Sequence, residues 1–414
     1  MLSHAIRCAP TARRADGPSC EAIGRVIRVT DLVKIYPNGQ VRAVDGVTFE
    51  VDEGAFYTLL GPSGCGKTTT LRCIAGLERA DGGSIELGDI AVVSDDVFVP
   101  TYRRDLGMVF QSYAVWPHMT VFENVAFPLR VGGQRLKREV LRDRVDKAMT
   151  LVGLGQYADR MATQLSGGQQ QRLSLARAIV REPKVLLLDE PLSNLDAKLR
   201  ERMRGELSAI QRRLGVTTLF VTHDQVEALS MSDRIAVMDR GKIVQEGTPE
   251  QVYSQPVNEF VASFIGSTNL FIGHLDGPSS ASPDRIRIKT DFGVLETSAN
   301  PELDPGLPVI VAIRPEDVIL HESAGMDVGG ANRFQAKVGI GLFIGSAVEY
   351  YFDLGDTLIH ARSSSRNTLK RGTTVHIELL ADALRTFTLQ GEPKVRLGSR
   401  RMAALARVDD DGRD

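Results

Sequence analysis

The sequence predicts an α/β core with a helical insert, followed by a small all-β domain. A short apolar strand at residues 56–60 leads through a glycine-rich loop into a helical pattern at residues 69–77. Two further continuous apolar strands, at residues 185–189 and 217–222, are separated by a helical pattern, which is typical of a parallel sheet buried on both faces. Short strands separated by turn residues follow from about residue 268.

The length and charge of the chain limit its class. The 414 residues favour two or three domains. The formal net charge of −2 gives no global basic field of the kind that nucleic-acid binding uses. The apolar runs are far shorter than the roughly 18 residues that cross a bilayer, so we expect that the chain does not span a membrane by itself. We expect four reduced cysteines in a cytoplasmic compartment: Cys8, Cys20, Cys65 and Cys73.

Residues 1–24 contain arginines, prolines and small residues without the continuous apolar core of a secretory signal. We interpret them as a disordered N-terminal tail or as the result of a start codon placed too early, with an organellar transit peptide as a less favoured alternative. His4, Cys8 and Cys20 have the wrong spacing for a metal site.

The chain from residue 25 predicts a β-rich opening. Residues 25–29 alternate like a strand, residues 34–39 predict a turn, and residues 41–51 predict another strand pair. Tyr36 lies near this turn. An aromatic ring there can stack on a purine or can pack as an ordinary loop tyrosine, and the local pattern leaves both open.

The segment at residues 61–68, called the phosphate loop below, has the strand–loop–helix context of a P-loop NTPase core. Its residues are Gly61, Pro62, Ser63, Gly64, Cys65, Gly66, Lys67 and Thr68. The glycines let backbone N–H groups approach phosphates, and the following helix, from Thr69, adds its unpaired N–H groups. Lys67 offers a charge for β- and γ-phosphates, and Thr68 offers a hydroxyl for Mg²⁺. Cys65 is expected to face away from the nucleotide.

A helical pattern at residues 134–152 carries an apolar stripe that we interpret as core packing. The stripe consists of Leu136, Val140, Leu141, Val145, Ala148, Met149 and Val152. Residues 112–165 are therefore predicted to form a mainly helical insert. Gln111, at the end of a predicted strand at residues 106–110, has an amide that can orient water and contact Mg²⁺; alone it would be an ordinary polar strand end.

A second anion-binding helix start is predicted at residues 165–172. Ser166 is a good N-cap, Gly167 and Gly168 leave their N–H groups bare, and the predicted helix runs from Gln169 to residue 180.

Acidic residues and a histidine follow the two apolar strands. Asp189 and Glu190 lie at the carboxyl end of one strand, where open α/β sheets bind ligands. Asp189 can hold Mg²⁺ through water, and Glu190 can orient the water that attacks a γ-phosphate. His223 follows the other strand and can bond the γ-phosphate; a lone histidine is more often structural, but this position favours a site.

These motifs, in this order over residues 24–260, resemble the ATP-binding subunit of an ABC transporter. The phosphate loop matches the Walker A motif, and residues 165–172 match the signature motif. Gln111 matches the glutamine loop, Glu190 the catalytic base, and His223 the switch histidine. Tyr36 matches the adenine-stacking aromatic residue, and residues 193–196 match the D-loop, with Asn194 where alanine is commoner.

The resemblance implies a Mg²⁺-dependent ATPase that works as a head-to-tail dimer of two copies. Each ATP would meet Lys67 of one copy and both Ser166 and Gly168 of the other. It also implies integral membrane permease subunits that dock at the loop after Gln111, a solute-binding protein that acts indirectly, and no nucleic acid. The expected location is peripheral, at the cytoplasmic face of the cell inner membrane.

The region at residues 268–395 predicts an OB-like barrel. Its predicted strands lie at residues 285–289, 308–313, 334–339, 348–353, 358–361 and 375–380. Residues 313–317 resemble a motif of the accessory (TOBE) domains on importer ATPases. OB barrels also bind oligonucleotides, but these strands lack dense basic and aromatic interleaving. The predicted plan is a tail at 1–24, an ABC ATPase domain at 25–265 with its insert at about 112–165, the barrel, and a tail at 396–414.

The resemblance favours a subunit that energises solute import, with ferric iron, polyamine and sugar all open as cargo. The alternative is a soluble ABC-class ATPase that acts on ribosomes or DNA. Such proteins typically carry two ATPase halves or a long coiled-coil insert, whereas this chain has one set of motifs and no heptad run. An exporter ATPase would leave the C-terminal barrel unexplained.

Overall fold

The computed structural model describes residues 24–36, 41–131, 136–279, 282–301, 303, 306, 308–321, 331–355, 357–364 and 369–389. Apart from Gly24, the two predicted tails lie outside these residues, as do Cys8, Cys20 and the last part of the predicted barrel, 390–395. Parts of the predicted turn at residues 34–39 and of the predicted helix at residues 134–152 also lie outside them.

The first part of the chain forms two sheets. Its strands are β1 (Arg25–Ile35), β2 (Arg42–Asp52), β3 (Phe56–Leu60), β4 (Gly82–Leu87), β5 (Ile90–Val93), β6 (Leu106–Val109), β7 (Val185–Asp189), β8 (Thr217–Thr222), β9 (Arg234–Asp239) and β10 (Lys242–Gly247). The six-stranded sheet has the order β10-β9-β3-β8-β7-β6, in which β10 alone pairs antiparallel. Every residue of β3, β7 and β8 is buried, as their continuous apolar sequences predict.

This strand order places the predicted site. The neighbouring strands β3, β8, β7 and β6 are parallel, so their carboxyl ends lie at one edge of the sheet. The segments that leave this edge are the phosphate loop, His223, Glu190 and the Gln111 turn. Residues far apart in sequence therefore meet at one place.

The four-stranded sheet is antiparallel, with the order β2-β1-β4-β5. The prediction of a strand pair at residues 41–51 is wrong, because β2 is one continuous strand that pairs with β1. The turn predicted from residue 34 also begins too early, because Lys34 and Ile35 still pair with Val44 and Arg42 in β1 and β2.

The helices are α1 (Lys67–Ala75), α2 (Val121–Val131), α3 (Arg138–Leu151), α4 (Gly167–Ile179), α5 (Ala197–Leu214), α6 (Gln225–Met231), α7 (Pro249–Ser254) and α8 (Glu259–Phe264). The predicted apolar stripe is wrong at Val140, which is 43% exposed, whereas Val145 and Met149 are buried. Val140 lies five residues before Val145, about 140° around the helix, and so faces away from the core. No helix within the described residues is long and apolar enough to cross a membrane.

The C-terminal part forms two five-stranded antiparallel sheets. Its strands are β11 (Asn269–Pro278), β12 (Arg285–Thr290), β13 (Gly293–Ser298), β14 (Pro308–Ile313), β15 (Val318–His321), β16 (Arg333–Phe343), β17 (Val348–Leu354), β18 (Thr357–Ser363), β19 (Thr374–Leu379) and β20 (Arg385–Thr388). The sheet orders are β13-β12-β11-β14-β20 and β15-β19-β16-β17-β18, and both sheets contribute to one apolar core. The α/β core followed by an all-β unit confirms the predicted fold class, although β11, β13, β15 and β20 were not predicted.

Arg314 joins the C-terminal sheets to the last helices of the α/β core. Its guanidinium donates to the carbonyl oxygens of Tyr253, at 3.0 Å, and of Ala262, also at 3.0 Å. The guanidinium carbon also lies 4.3 Å from the centre of the Tyr253 ring, a cation–π contact. These carbonyls belong to α7 and α8, so the buried arginine satisfies helix acceptors from the other unit.

Candidate active site

The phosphate loop turns tightly between β3 and α1, and two glycines make this possible. Gly66 has a φ of 106°, and a Cβ atom there would lie 2.2 Å from the Ala43 carbonyl oxygen. A Cβ atom on Gly61 would lie 2.4 Å from the Met238 carbonyl oxygen. Only glycine fits at these positions, so the backbone N–H groups of the loop can form a cradle at the N-terminus of α1.

Lys67 is held inside this loop. Its Nζ atom donates to the carbonyl oxygens of Gly61, at 2.8 Å, and Pro62, at 2.9 Å, and the side chain is only 4% exposed. The Cys65 sulfur lies 3.8 Å from Nζ. Burial raises the pKa of the Cys65 thiol, while the Lys67 charge opposes that rise. The loop therefore holds one positive charge beside its N–H groups.

Thr68 and Asp189 form an oxygen pair between α1 and β7. The Thr68 hydroxyl donates to Oδ1 of Asp189 at 2.9 Å. Burial raises the pKa of Asp189, and the bond from Thr68 partly opposes this rise. Among the residues that the structure describes, no group of three or more His, Cys, Asp or Glu side chains could hold a metal by itself. A hard cation bound here would have to take further oxygens from another molecule, such as a phosphate.

Glu190 follows β7 in a left-handed backbone conformation, with a φ of 43°. Its N–H group donates to the Val221 carbonyl oxygen at 3.0 Å, which ties this residue to β8. Its Oε2 atom lies 3.1 Å from Nδ1 of His223 and 3.4 Å from Nε2 of Gln111. The carboxylate is thus surrounded by side chains that follow two neighbouring strands, and the strained backbone is typical of functional positions.

Asn194 is a site residue whose contact the sequence did not reveal. Its Nδ2 atom donates to the Gln111 carbonyl oxygen at 2.8 Å. The neighbouring Ser193 hydroxyl donates to the Glu190 carbonyl oxygen at 2.9 Å. The asparagine at position 194, where alanine is commoner, was the feature of the sequence that could have indicated this contact. The bonding partner of Asn194, Gln111, is 83 positions away in the chain, so the local sequence does not identify it.

The second predicted anion site begins α4. Ser166 is its N-cap, and the Ser166 N–H group donates to Oε1 of Gln169 at 2.9 Å. Ser166 and Gly167 are exposed, whereas Gly168 is buried against Leu199. The predicted start of this helix at Gln169 is wrong by two residues, because α4 begins at Gly167. Within the described part of the chain, no hydrogen bond joins residues 166–169 to the phosphate loop.

Tyr36 lies beside α1. Its hydroxyl donates to Oε2 of Glu78 at 2.5 Å and lies 3.3 Å from Oγ1 of Thr69. The Lys34 ammonium lies 5.7 Å from the centre of its ring. Burial raises the pKa of the Tyr36 phenol, with the Glu78 bond acting in the same direction. The tyrosine is therefore fixed next to the helix that begins at the phosphate loop.

Comparisons with known proteins identify two families that match this chain. The ABC transporter family model matches residues 44–193, and the TOBE domain model matches residues 311–387. The chain is 44% identical over 364 residues to the trehalose/maltose import ATP-binding protein of Thermococcus litoralis, which covers 85% of this chain and 94% of that protein.

Further relatives point the same way. The chain is 49% identical over 307 residues to the spermidine/putrescine import ATP-binding protein of Aliivibrio fischeri, which covers 74% of this chain and 79% of that protein. A solved structure of an ABC transporter complex component from Clostridium perfringens superimposes with a TM-score of 0.52 at 28% identity, over 56% of this chain and 92% of that one.

Proposed function

The chain belongs to the ABC transporter family as an import ATP-binding subunit, and we propose that it hydrolyses ATP with Glu190 as the catalytic base. As such a subunit, it binds ATP and couples ATP hydrolysis to solute import. The alternative of a soluble ABC-class ATPase that acts on ribosomes or DNA is not favoured, because the relatives are import subunits. One observation supports the site assignment most directly: the side chains of Gln111 and His223 both contact the Glu190 carboxylate. The preceding residue, Asp189, accepts a hydrogen bond from Thr68 of the phosphate loop.

The phosphate loop is the proposed binding site for the ATP phosphates. Lys67 Nζ now donates to two carbonyl oxygens of its own loop, and it would exchange these neutral acceptors for charged phosphate oxygens. The N–H groups of residues 61–69 and the N-terminus of α1 add donors around the same point. The fixed position of Tyr36 beside Thr69 supports a role at the base end of the nucleotide.

The Thr68–Asp189 pair fits Mg²⁺, because both side chains present oxygen atoms and lie within hydrogen-bond distance of each other. When bound, Mg²⁺ neutralises charge on the phosphates. Thr68 and Gln111 would contribute oxygen ligands, and Asp189 would hold the ion through water. Because Asp189 is buried, its orientation is set by Thr68 rather than by solvent.

Glu190 is placed to orient and deprotonate an attacking water. Its Oε2 atom is the proton acceptor, and Nδ1 of His223 and Nε2 of Gln111 both point at this atom. Each of these neighbours restricts where the carboxylate can lie, so the base is positioned before the substrate arrives. His223 is half-exposed, so it can also reach a γ-phosphate.

A second copy completes the proposed site. Ser166 and Gly167 form an exposed helix start, and no hydrogen bond among the described residues joins residues 166–169 to the phosphate loop. We therefore propose a head-to-tail dimer in which Ser166, Gly167, Gly168 and Gln169 of one copy contact the ATP held by the other. ATP would favour closure because it gains contacts only in the closed dimer.

The import role implies further partners. We propose integral membrane permease subunits that dock at the loop after Gln111, an indirect link to a solute-binding protein, and a peripheral position at the cytoplasmic face of the inner membrane. We also propose domain limits of 25–265, with the insert at 112–165, and 268–395. The names of the relatives support sugar or polyamine cargo, with ferric iron as the third candidate.

A tagged pull-down from detergent-solubilised membranes tests this proposal, with mass spectrometry of the proteins that accompany the chain. A multi-span permease would support it, and the identity of that permease would narrow the cargo. Ribosomal or DNA-repair proteins without a permease would overturn it in favour of the soluble ATPase. A Lys67→Ala chain, which should bind ATP poorly, is the matched control for capture that depends on nucleotide.

A further inference from the structure

The loop after Gln111 contains two adjacent residues in a left-handed backbone conformation. Tyr113 has a φ of 61° and Ala114 a φ of 47°, and neither is glycine. For residues with a Cβ atom this conformation is sterically unfavourable, because the Cβ atom approaches the following carbonyl oxygen. It persists only where surrounding contacts stabilise it. The loop therefore needs an anchor, and the burial of the Tyr113 ring supplies only part of it.

Arg177, in the last turn of α4, provides the missing anchor. Its Nη1 atom donates to the Ala114 carbonyl oxygen at 2.5 Å, and its Nη2 atom donates to the Tyr113 carbonyl oxygen at 3.1 Å. One planar guanidinium thus binds both left-handed residues at once. Within the described residues Arg177 forms no ion pair with an acidic side chain, and its guanidinium bonds go to the two carbonyl oxygens of this loop.

The same helix begins at the predicted contact with the partner's ATP. Ser166 caps its N-terminus, and Arg177 lies 11 residues later, or about 16 Å along a rigid helix. Only two residues separate Gln111 from Ala114, and the Gln111 amide lies at the Glu190 carboxylate. A rigid element therefore connects the signature end of α4 with the loop that carries Gln111.

We propose that Arg177 is a positioning residue that couples the signature helix α4 to the Gln111 loop. This coupling rests on the proposed function, in which the N-terminus of α4 contacts the ATP that is bound to a second copy. When α4 meets that ATP, the carbonyls of Tyr113 and Ala114 follow Arg177, and the position of Gln111 changes with them. One nucleotide would thus adjust the catalytic amide of the neighbouring site.

The chain carries a natural probe for this coupling. Trp116 is the only tryptophan in the sequence, and it lies in the same loop, 40% exposed. The Asn124 side chain accepts from the backbone N–H group of Trp116 at 2.8 Å and donates to the Trp116 backbone carbonyl oxygen at 3.1 Å. Trp116 fluorescence in the full-length chain therefore reports on this loop and on its packing against Phe127 of α2.

The test compares Arg177→Met with the native arginine, both in a Glu190→Gln chain that retains ATP. Methionine keeps the apolar stem and removes the donors. In the chain with native Arg177, we expect ATP with Mg²⁺ to change the acrylamide quenching of Trp116 fluorescence. In Arg177→Met we expect this change to be lost, while the affinity for labelled ATP stays within about twofold of that of the chain with Arg177. In the chain with native Glu190, Arg177→Met should lower kcat about tenfold with little change in KM.

Two controls make the outcome decisive. Arg181→Met removes an exposed arginine just beyond α4 and should keep the full fluorescence response. If Arg177→Met fails to fold by circular dichroism, Arg177→Lys carries the test, because lysine keeps the charge but lacks the planar fork. A fluorescence response that persists without Arg177, or that is absent from the Arg177 chain although ATP binds, overturns the coupling. A chain that binds no ATP overturns the proposed function instead.

Discussion

Nδ1 of His223 lies 3.1 Å from Oε2 of Glu190, although the two residues follow different strands, β8 and β7. The register of these parallel strands sets the distance, because Asp189 pairs with Val221. The Glu190 N–H group continues the same pairing through the Val221 carbonyl oxygen. The proposed base Glu190 and its neighbour His223 are therefore positioned by the sheet.

Glu190→Gln should abolish turnover and retain ATP binding. The amide keeps the shape of the side chain and can still contact His223 and Gln111, but it cannot accept a proton. We expect kcat to fall about a hundredfold or more, as for the loss of a general base. With ATP and Mg²⁺ the variant should elute from a sizing column as a stable dimer, and elution as a monomer would count against the base assignment.

Lys67→Ala should weaken nucleotide binding itself. A charged hydrogen bond is worth about 1.5–3 kcal/mol, which corresponds to a loss of affinity of roughly ten- to a hundredfold. Titration with a fluorescent ATP analogue measures this. Lys289→Ala, on an exposed position of β12, is the matched control and should bind normally. Unchanged affinity in Lys67→Ala would remove Lys67 from the phosphate site.

Asn194→Ala should slow hydrolysis without changing ATP affinity, because it frees the Gln111 carbonyl oxygen. One exposed hydrogen bond contributes about 0.5–1.5 kcal/mol, so kcat should fall by roughly two- to tenfold. Asn194→Asp should lose at least as much, since a carboxylate cannot donate to a carbonyl. Steady-state kinetics separate kcat from KM, and native kcat in both variants would show that the bond to Gln111 has no catalytic role.

Asp189→Asn should stabilise the fold at neutral pH. Burial raises the folded pKa of Asp189 above its ordinary value of 3.8, so holding its charge in the folded chain costs stability above the raised pKa. That cost disappears as the pH falls through the raised pKa towards 3.8, since the protonated acid is neutral. Thermal unfolding should show a higher Tm for the variant than for the native chain at about pH 7, and a smaller Tm difference between the two chains at about pH 4. An equal difference at both would refute the burial argument.

Deletion of residues 268–414 should leave the α/β core folded but less stable. The deletion removes Arg314, so the Ala262 and Ile265 carbonyl oxygens lose their buried donor and face water instead. We expect a native-like circular dichroism spectrum, a monomer on a sizing column and a lower Tm. Arg314→Met in the full chain is the matched control for the lost donor. Aggregation of the fragment would show that the proposed boundary is wrong.

Some features could be predicted because they depend on local sequence. The run Val185–Asp189 is apolar throughout, so it forms a strand buried on both faces with its acids at the end. The limits of β8, at Thr217–Thr222, also agree with the prediction. Val140 was misplaced because it was grouped by its apolar side chain, although at about 100° per residue it lies about 140° around the helix from Val145.

The sequence alone determined the family, the fold class and the residue types of the site. It did so because the glycines, the lysine, the acidic residues and the histidine lie in short contiguous motifs at strand ends, where their chemical roles can be inferred from neighbouring residues. Only the tertiary structure decided which of them meet. The pairing order β3-β8-β7-β6 brings His223 and Gln111 to Glu190. It also brings Asn194 to the Gln111 carbonyl, while Arg177 binds the two left-handed residues of the loop. These contacts join positions that are distant in the chain, and no local pattern encodes a distance that arises from packing.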